Sequence, residues 1–386
     1  MERHKTALIC ISDLYLTRGL QLRDYYRSRG DEVRLLTIDF SHRKKQKIET
    51  PPDGVTLLHH RPYRRNLSWQ RLLGHYEFAK ECRVDLENWK PDRIHCLIPA
   101  NSLTRQMGKY KKDHPEVQLI FDLNDLWPES LPIAGFQKTS PAWIWRHLRN
   151  AWIDQADLVF AECGLFAKTI ESQTGVHPEV LYWSADLPEL KSNPHPDPDE
   201  LSLCYLGSVN NIIDLDWLEK LLARLSQSKP LTLHLMASGE KKPELIERAG
   251  RYAKIVDHGL VYDPQAKQDV FDFCHYGLNI MKENVRIGLS MKSIDYLAGG
   301  LPLINSLQGD IEEWIDQQGC GINIDRSSVE NTARRIESVD CETHKKMRRA
   351  ARQVYEERLS KEVFEHTLDQ ALDGLDHKQT ATPKTN

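Results

Sequence analysis

The sequence has no apolar run approaching the roughly 20 residues that a helix needs to cross a bilayer. Its opening, MERHKTALICIS, places charged residues before an apolar run that is too short and too soon interrupted for a signal peptide. The eight cysteines are scattered without any Cys-x-x-Cys or Cys/His grouping, which argues against a zinc motif or a disulfide framework. We therefore expect a cytoplasmic protein with free thiols.

Positive charge is unevenly distributed along the chain. Residues 1–183 hold 27 Lys and Arg against 23 Asp and Glu, whereas the remaining residues hold 25 against 33. Aromatic residues do not alternate with the basic clusters and the isoelectric point is near 6.5, so we do not expect nucleic acid as a partner. The basic segment 61–65 precedes an amphipathic pattern over 67–78, which suggests peripheral contact with an anionic membrane. A charged surface beside a core-facing helix is the alternative.

Strand and helix patterns alternate throughout, which is typical of an α/β protein with parallel sheets. We expect two Rossmann-like domains, over 1–183 and 201–360, facing across a cleft where ligands bind at the carboxyl ends of the strands. Segment 184–200 contains four prolines and no apolar periodicity, which predicts a linker. Charged helices close the chain, and a disordered tail is predicted over 376–386.

The segment from Gly288 to Asn305 predicts an anion-binding helix followed at once by a buried strand. Ser290 is the predicted N-cap, a helical pattern follows, and Gly299–Gly300 end the helix. The first turn of such a helix offers N–H groups and a positive dipole end. We expect this turn to hold a phosphate.

Two side chains near this helix start, together with the N–H groups of Ser290–Ser293, fit a nucleoside diphosphate. Lys292 lies in the first turn, where the dipole alone would favour an acidic residue, so a bound anion would account for it. Ser293 follows it, and Asp295, three residues after Lys292, lies on the same face within reach of a ribose hydroxyl. An ordinary βα unit with a solvated lysine would give the same pattern, and the segment alone does not decide between them.

Two further loops follow strands of the predicted sheets. In the second domain, Gly207 would let backbone approach a ligand, and Ser208 and Asn210 offer side-chain donors; a plain loop with a helix cap is the alternative. In the first domain, Arg18 and Gly19 follow strand one and could approach the donor phosphate. As a turn and helix start, they need no ligand.

Asp122 and Asp125 lie in the loop DLNDLWPES, after another predicted strand of the first domain. Their carboxylates could orient an acceptor hydroxyl or act as a base. Turn-forming hydrogen bonds before Trp127–Pro128 are the alternative explanation.

The loop YLGS followed by S-x-K-x-x-D-Y-L-A-G-G-L-P-L-I-N resembles the donor half of GT-B glycosyltransferases, closest to the retaining family 4 of bacterial polysaccharide synthesis. The segment Asp122–Pro132 also resembles sequences in those enzymes. The resemblance implies a nucleoside-diphosphate sugar held by the second domain and a glycan or lipid-linked acceptor held by the first. It implies no metal and no cofactor beyond the donor, and a C-terminal helix, over 361–375, that returns to the first domain.

The chain departs from the family pattern in its donor-binding charges. Ile287 stands where family members commonly carry the first of two glutamates, and Asp295 replaces the second. Neutralising the diphosphate would then fall to Lys292, the helix N-terminus and Arg286. We predict a hexosyltransferase in cell-surface polysaccharide synthesis, in the cytoplasm at the inner membrane face. A noncatalytic subunit that binds glycan or a partner transferase, and a sugar-nucleotide epimerase, remain alternatives.

Overall fold

The structure is a computed structural model, and it describes residues 3–65, 68–131, 133, 135–185 and 191–381. The chain divides into two compact units. Unit 1 comprises Met1–Leu181 with Glu365–Asn386, and unit 2 comprises Tyr182–Phe364. The predicted domain boundary at residue 183 lies two residues beyond this division.

Unit 1 is built on a seven-stranded parallel sheet with the order β5-β2-β1-β6-β7-β8-β9, next to a small antiparallel hairpin of β3 and β4. Its central strands β6 and β7 are buried along their whole length, as expected for a sheet covered on both faces. The strands of unit 1 are β1 (Lys5–Ile9), β2 (Glu32–Ile38), β3 (Phe40–Ser41), β4 (Gln46–Lys47), β5 (Val55–Leu58), β6 (Arg93–Ile98), β7 (Gln118–Leu123), β8 (Leu158–Ala161) and β9 (Glu179–Val180). Its helices begin with α1 (Leu16–Ser28), α2 (Trp69–Trp89), α3 (Asn101–Asp113), α4 (Ser140–Asn150) and α5 (Gly164–Thr174).

Unit 2 is built on a six-stranded parallel sheet with the order β12-β11-β10-β13-β14-β15. Its strands are β10 (Leu201–Ser208), β11 (Leu231–Ser238), β12 (Lys254–Asp257), β13 (Tyr276–Asn279), β14 (Leu303–Asn305) and β15 (Gly321–Asn323). The helices from here on are α6 (Leu215–Leu225), α7 (Lys242–Ala249), α8 (Pro264–Phe273), α9 (Met291–Ala298), α10 (Asp310–Gln318), α11 (Val329–Glu337), α12 (Cys341–Arg358) and α13 (Lys361–Ala381). The predicted α/β class with two parallel-sheet units is confirmed.

The predicted linker and tail are both more ordered than the sequence suggests. Within 184–200, residues 186–190 lie outside the described residues, but the following stretch is held against α8. Asp272 accepts hydrogen bonds from the Ser192 hydroxyl at 2.9 Å and the Asn193 N–H at 2.5 Å. The last part of the predicted linker is therefore packed on unit 2.

Helix α13 begins in unit 2 and ends in unit 1, and it extends through Ala381. Asp376 accepts hydrogen bonds from Arg93 Nη2 at 2.9 Å and from Gln118 Nε2 at 2.7 Å, and Asp369 accepts one from the Tyr25 hydroxyl at 2.6 Å. The prediction of disorder from residue 376 is therefore wrong for 376–381, while 382–386 lie outside the described residues.

The cysteines form no disulfide: seven are buried and Cys341 is exposed. Across the described ranges, no helix combines the length and apolarity needed to span a bilayer.

Candidate functional site

Three neighbouring strands of unit 2 end in asparagine at the same level. The register pairs Asn279 of β13 with Asn305 of β14, and Asn305 with Asn323 of β15. Asn279 Nδ2 donates to Asn305 Oδ1 at 2.8 Å, and Asn305 Nδ2 donates to Asn323 Oδ1 at 2.9 Å. We call this row the asparagine ladder. Because Asn279 and Asn305 are buried, their mutual hydrogen bonds satisfy amides that would otherwise destabilise the fold.

The first turn of α9 is anchored on the asparagine ladder by two serines. Ser290 is the N-cap: its Oγ accepts from the Ser293 N–H at 3.3 Å and donates to Asn279 Oδ1 at 3.1 Å. Ser293 Oγ in turn accepts from Asn279 Nδ2 at 3.1 Å. Both side chains are buried, so they position the helix instead of reaching a ligand. Donor binding at this turn, which the sequence places on the N–H groups of Ser290–Ser293, stays a prediction.

Lys292 is half-buried beside the ring of Tyr205, at the start of the same helix. Its Nζ donates to the Tyr205 hydroxyl at 3.1 Å and lies 4.3 Å from the ring centroid. No described carboxylate lies within ion-pair distance of this ammonium. Burial lowers the pKa of Lys292 to about 7. A buried cation without a counter-charge is unfavourable, so an incoming anion would be attracted here.

Tyr205 links the two loops that the sequence singled out for donor binding. Its hydroxyl accepts from Lys292 and donates to the Ser208 carbonyl oxygen at 2.9 Å. Lys292 and Ser208, which are far apart in sequence, therefore meet at the carboxyl end of β10 through one phenol.

Tyr296 fixes the distance between α9 and β10. It lies one helical turn after Lys292, and its hydroxyl accepts from the Leu206 N–H at 2.7 Å and donates to the Cys204 carbonyl at 3.2 Å. The ring packs so closely on Gly277 that a Cβ there would lie 2.6 Å from it. Glycine at 277 is therefore required for α9 to lie this near the sheet.

The remaining predicted donor-binding residues of unit 2 differ in how exposed they are and in whether their polar atoms already have partners in the protein. Gly207 has a φ of +98°, which favours glycine. Ser208 and Arg286 are exposed, whereas Asn210 Oδ1 already accepts from the Ile212 N–H at 3.1 Å. Asp295 is ion-paired to Lys267 Nζ at 2.5 Å, so a ribose hydroxyl would have to share its carboxylate. Ribose binding by Asp295 stays a prediction.

In unit 1, Arg18 and Asp122 form a fully buried ion pair. Arg18 Nε donates to Asp122 Oδ2 at 2.7 Å and Nη2 donates to Oδ1 at 3.0 Å, and neither side chain is exposed. His95 lies between Asp122, at 3.4 Å, and the Tyr26 hydroxyl, at 3.0 Å. Burial alone would raise the pKa of Asp122, but Arg18 and His95 outweigh it and lower this pKa to about 2. The predictions that Arg18 binds the donor and that Asp122 is catalytic are corrected: both side chains lie in the core.

Gly19 is also in a different setting from the one predicted. Helix α1 begins at Leu16, so Gly19 lies within the helix and not in the loop before it. A Cβ at this position would lie 3.4 Å from Leu35 Cδ1 on β2. This is an ordinary van der Waals distance. The Gly19 N–H donates to the Tyr15 carbonyl oxygen at 3.1 Å within the helix, so this amide is not free for the predicted phosphate contact.

Asp125 is half-buried, just beyond the carboxyl end of β7. Its Oδ2 accepts from Trp127 Nε1 at 2.7 Å and from the Tyr15 hydroxyl at 3.3 Å, and Oδ1 accepts from the Ser130 hydroxyl. Burial raises the pKa of Asp125 although these hydrogen bonds oppose it. A partly accessible carboxyl group with a raised pKa can orient a hydroxyl or accept its proton. Of the two predicted aspartates, only Asp125 has this setting.

Arg71 supplies positive charge close to Asp125. Its guanidinium lies 4.8 Å from the centroid of the Trp127 ring and 5.6 Å from that of Tyr63, and its Nε approaches His75 Nε2 at 3.3 Å. Burial, followed by the charge of Arg71, keeps the pKa of His75 well below its ordinary value. The cationic side chain of Arg71 and the aromatic rings that it contacts, Trp127 and Tyr63, therefore lie beside the Asp125 carboxylate.

Sequence reasoning missed Tyr205, Tyr296, Arg71 and the asparagine ladder. In the sequence, Tyr205 and Tyr296 look like ordinary apolar residues of a strand and a helix. The partners of their hydroxyl groups are far away in the chain, so no local pattern indicates them. One signal was available: predicted strands over 277–281 and 301–304 each place an asparagine near the carboxyl end, where polar residues of an α/β sheet gather.

No family model and no curated protein sequence matches this chain. Solved structures do match it, over nearly its whole length and at low sequence identity. Sucrose-phosphate synthase from Thermosynechococcus elongatus matches with a TM-score of 0.73 and 14% identity, covering 97% of this chain and 100% of that one. HepE of Anabaena, in complex with UDP and glucose, matches with a TM-score of 0.67 and 13% identity, covering 96% and 100%.

A third structure, the apo form of the lipopolysaccharide outer core galactosyltransferase WaaB, matches with a TM-score of 0.69 and 13% identity, covering 96% of this chain and 99% of that one. These neighbours are GT-B glycosyltransferases. The chain shares their fold.

Proposed function

We propose that this protein is a glycosyltransferase that moves a hexose from a nucleoside-diphosphate sugar to a glycan or lipid-linked acceptor. The reaction retains the anomeric configuration and serves cell-surface polysaccharide or glycoconjugate synthesis, in the cytoplasm at the inner face of the membrane. The observation that carries the proposal is Lys292, a half-buried ammonium at a helix N-terminus that donates a hydrogen bond to the neutral hydroxyl of Tyr205.

The donor diphosphate would provide the counter-charge that this site lacks. Helix α9 directs its positive dipole end and first-turn amides to the same place as Lys292, and both favour a bound phosphate. The proximity of Ser208, joined to Lys292 through Tyr205, gives the nucleotide a second loop to contact. Arg286, which is exposed in the loop before α9, is a further candidate cation.

The structural neighbours support this assignment by their own ligands and names. HepE is described in complexes with UDP, with UDP-glucose, and with UDP and glucose, and WaaB is a galactosyltransferase. These favour a hexose carried by a nucleoside diphosphate as the donor class for the present chain as well.

In the proposed reaction, the acceptor oxygen forms a bond to the anomeric carbon while the bond from that carbon to the diphosphate breaks. Lys292 and the α9 amides stabilise the negative charge that develops on the leaving diphosphate, which is the principal catalytic contribution. The acceptor attacks the same face of the sugar from which the diphosphate leaves, so configuration is retained, and the acceptor proton passes to an oxygen of the leaving diphosphate. Asp125 orients the acceptor hydroxyl.

The first test is a thermal-shift screen of the purified protein against UDP, GDP, dTDP and ADP and their common sugars. We expect one nucleotide family to raise the melting temperature, and the Lys292→Met variant to lose most of that shift. Lys254→Met is the matched control, because Lys254 is exposed at the opposite, amino-terminal end of strand β12. It should keep the full shift.

The outcomes separate the proposed activity from its alternatives. If no nucleotide raises the melting temperature of the folded protein, the donor site is refuted. A raised melting temperature with neither sugar transfer to an acceptor nor hydrolysis of the donor would instead support a noncatalytic subunit. Conversion of the donor sugar in the absence of acceptor would point to an epimerase.

A further inference from the structure

Helix α2 of unit 1 carries an exposed apolar stripe along its first half. Trp69 is 80% exposed and Leu73 51% exposed, and Leu72 and Tyr76 are exposed beside them. The opposite side of the helix is buried through Phe78. Phe78 is therefore a core residue and not part of the predicted amphipathic surface, and Leu67 lies outside the described residues.

A second apolar stripe lies on helix α4, which the sequence had not singled out. Trp143 is 60% exposed, Ile144 is 53% exposed, and Leu148 follows Ile144 one turn later. The Trp143 ring stacks on His147 with a centroid distance of 5.3 Å. Two bulky aromatic side chains, one on each helix, are therefore largely open to solvent.

Helix α3 lies between these two helices and holds them side by side. Its Ser102 hydroxyl donates to the His75 carbonyl of α2 at 3.0 Å, and its Thr104 hydroxyl donates to the Leu148 carbonyl of α4 at 3.1 Å. Both stripes therefore flank the first turns of α3. We call the exposed sides of α2, α3 and α4 the three-helix surface.

Basic residues lie between and beside the two apolar stripes. Arg105 and Lys109 are one turn apart on α3 and partly exposed, and Lys80 on α2 is exposed. Among the described residues, no carboxylate lies within ion-pair distance of these three side chains. The surface thus combines exposed Trp and Leu side chains with cations that have no carboxylate partner among the residues that the structure describes.

The position of the cations identifies the kind of partner. Protein interfaces are depleted of lysine, above all in their buried centre, although arginine is enriched in them. Here Lys109 lies between the apolar stripes, so a protein partner would have to bury its ammonium. An anionic bilayer can bind a surface on which cations lie between apolar stripes. Apolar and tryptophan side chains enter the boundary with the acyl chains, while the cations remain among the headgroups.

We propose that the three-helix surface docks unit 1 on an anionic lipid bilayer. Trp69 and Trp143 with their neighbouring leucine and isoleucine side chains insert at the headgroup boundary, and Arg105, Lys109 and Lys80 contact lipid phosphates. This docking does not depend on the proposed transfer reaction, and it is tested without donor or acceptor.

The experiment is sedimentation of the full chain with vesicles of mixed phosphatidylcholine and phosphatidylglycerol, compared with phosphatidylcholine alone. We expect binding to the mixed vesicles that weakens when salt is added. Because one basic residue near an anionic surface contributes about fivefold, the double variant Arg105→Glu and Lys109→Glu should lower partitioning at least tenfold. The double variant Trp69→Gln and Trp143→Gln should also bind markedly more weakly.

Matched controls lie on unit 2. Tyr262 is also 80% exposed, and Lys346 and Arg349 are exposed cations of α12. The variants Tyr262→Gln, and Lys346→Glu with Arg349→Glu, should leave vesicle binding unchanged, and circular dichroism checks that every variant is folded. Absence of binding to the mixed vesicles, or equal losses in the control variants, would overturn the proposal. So would a dimer in sedimentation velocity that the tryptophan variants abolish while the wild type ignores vesicles.

Discussion

The carboxyl ends of the two parallel sheets each hold a partly or fully buried cation, but the cations are balanced differently. In unit 1, Arg18 is paired with Asp122 by two short hydrogen bonds inside the core. In unit 2, Lys292 contacts the hydroxyl and ring of Tyr205, and no described carboxylate approaches it. The charges of the buried pair balance each other, whereas the charge of Lys292 is unbalanced among the described residues.

This difference favours Lys292 over Arg18 as the place of an anionic ligand. A substrate phosphate near Arg18 would have to displace Asp122 from a site that solvent does not reach. A phosphate at Lys292 would instead relieve the cost of holding an ammonium in a half-buried place. Arg18 and Lys292 were both predicted from sequence as donor ligands. Their partners distinguish Arg18, which is structural, from Lys292, which is the candidate ligand.

The largest effect on stability is expected from removing the counter-charge of unit 1. Asp122→Asn leaves Arg18 buried without a carboxylate, which should lower the free energy of unfolding by about 3–5 kcal/mol in urea denaturation followed by circular dichroism. Because the pKa of Asp122 is lowered to about 2, this contribution is present above about pH 4 and is lost as the pH falls through 2. Lys292→Met should show no such loss. A decrease below about 1 kcal/mol for Asp122→Asn would mean that the pair is not the structural element described here.

The largest effect on catalysis is expected at Lys292. Lys292→Ala should lower turnover by about a hundred- to a thousandfold, as removal of a charge-stabilising group in other active sites does, with an unchanged melting temperature. The measurement is sugar transfer with the donor found in the nucleotide screen, and Lys254→Ala should retain wild-type turnover. Unchanged turnover in Lys292→Ala would remove this residue from the mechanism.

Donor affinity should depend on pH if Lys292 must be charged to bind. Its pKa is lowered to about 7 in the free protein, and a bound diphosphate favours the ammonium, so binding above neutrality takes up a proton. We expect the dissociation constant of the intact nucleotide sugar to rise about tenfold between about pH 7.5 and 8.5 in calorimetric titrations. Lys292→Arg, which stays protonated, should give a flat profile. If the dissociation constants of the wild type and of Lys292→Arg changed with pH in the same way, Lys292 would not be the group whose protonation controls donor binding.

A smaller effect is expected from the phenol that joins the two donor loops. Tyr205→Phe keeps the ring beside Lys292 but removes the hydroxyl that contacts Lys292 and the Ser208 carbonyl. One such hydrogen bond contributes about 0.5–1.5 kcal/mol, so donor binding should weaken about two- to tenfold. The same change at exposed Tyr262 should have no effect. A loss as large as that of Lys292→Ala would mean that Tyr205 itself contacts the donor.

The elements of the fold could largely be predicted from sequence because their signals are local. The apolar run RIHCLI predicts the strand that is observed as β6, and Ser290 and Gly299 mark both ends of α9. The sequence pattern predicts a helix over 20–29, four residues later than the observed start of α1 at Leu16, because the N-cap, Tyr15, makes no side-chain capping bond. This error left Arg18 in a loop, where a phosphate contact was the natural interpretation.

The chemistry of the candidate site was less predictable because it depends on partners distant in the chain. The contact between Arg18 and Asp122 spans 104 residues, and that between Lys292 and Tyr205 spans 87. No pattern in either segment reveals which cation meets a carboxylate and which meets a phenol. The asparagine ladder likewise appears only when the register of β13, β14 and β15 is known.

The path of helix α13 sets an order for folding during synthesis. Residues up to Leu181 leave the ribosome before unit 2, whereas Asp369 and Asp376, which partner Tyr25, Arg93 and Gln118, are made only after it. All of unit 2 is translated in between, which takes about 10–40 seconds at 5–20 residues per second. Until then the nascent first unit lacks α13, whose Leu368, Leu372 and Leu375 side chains are buried once the helix is in place.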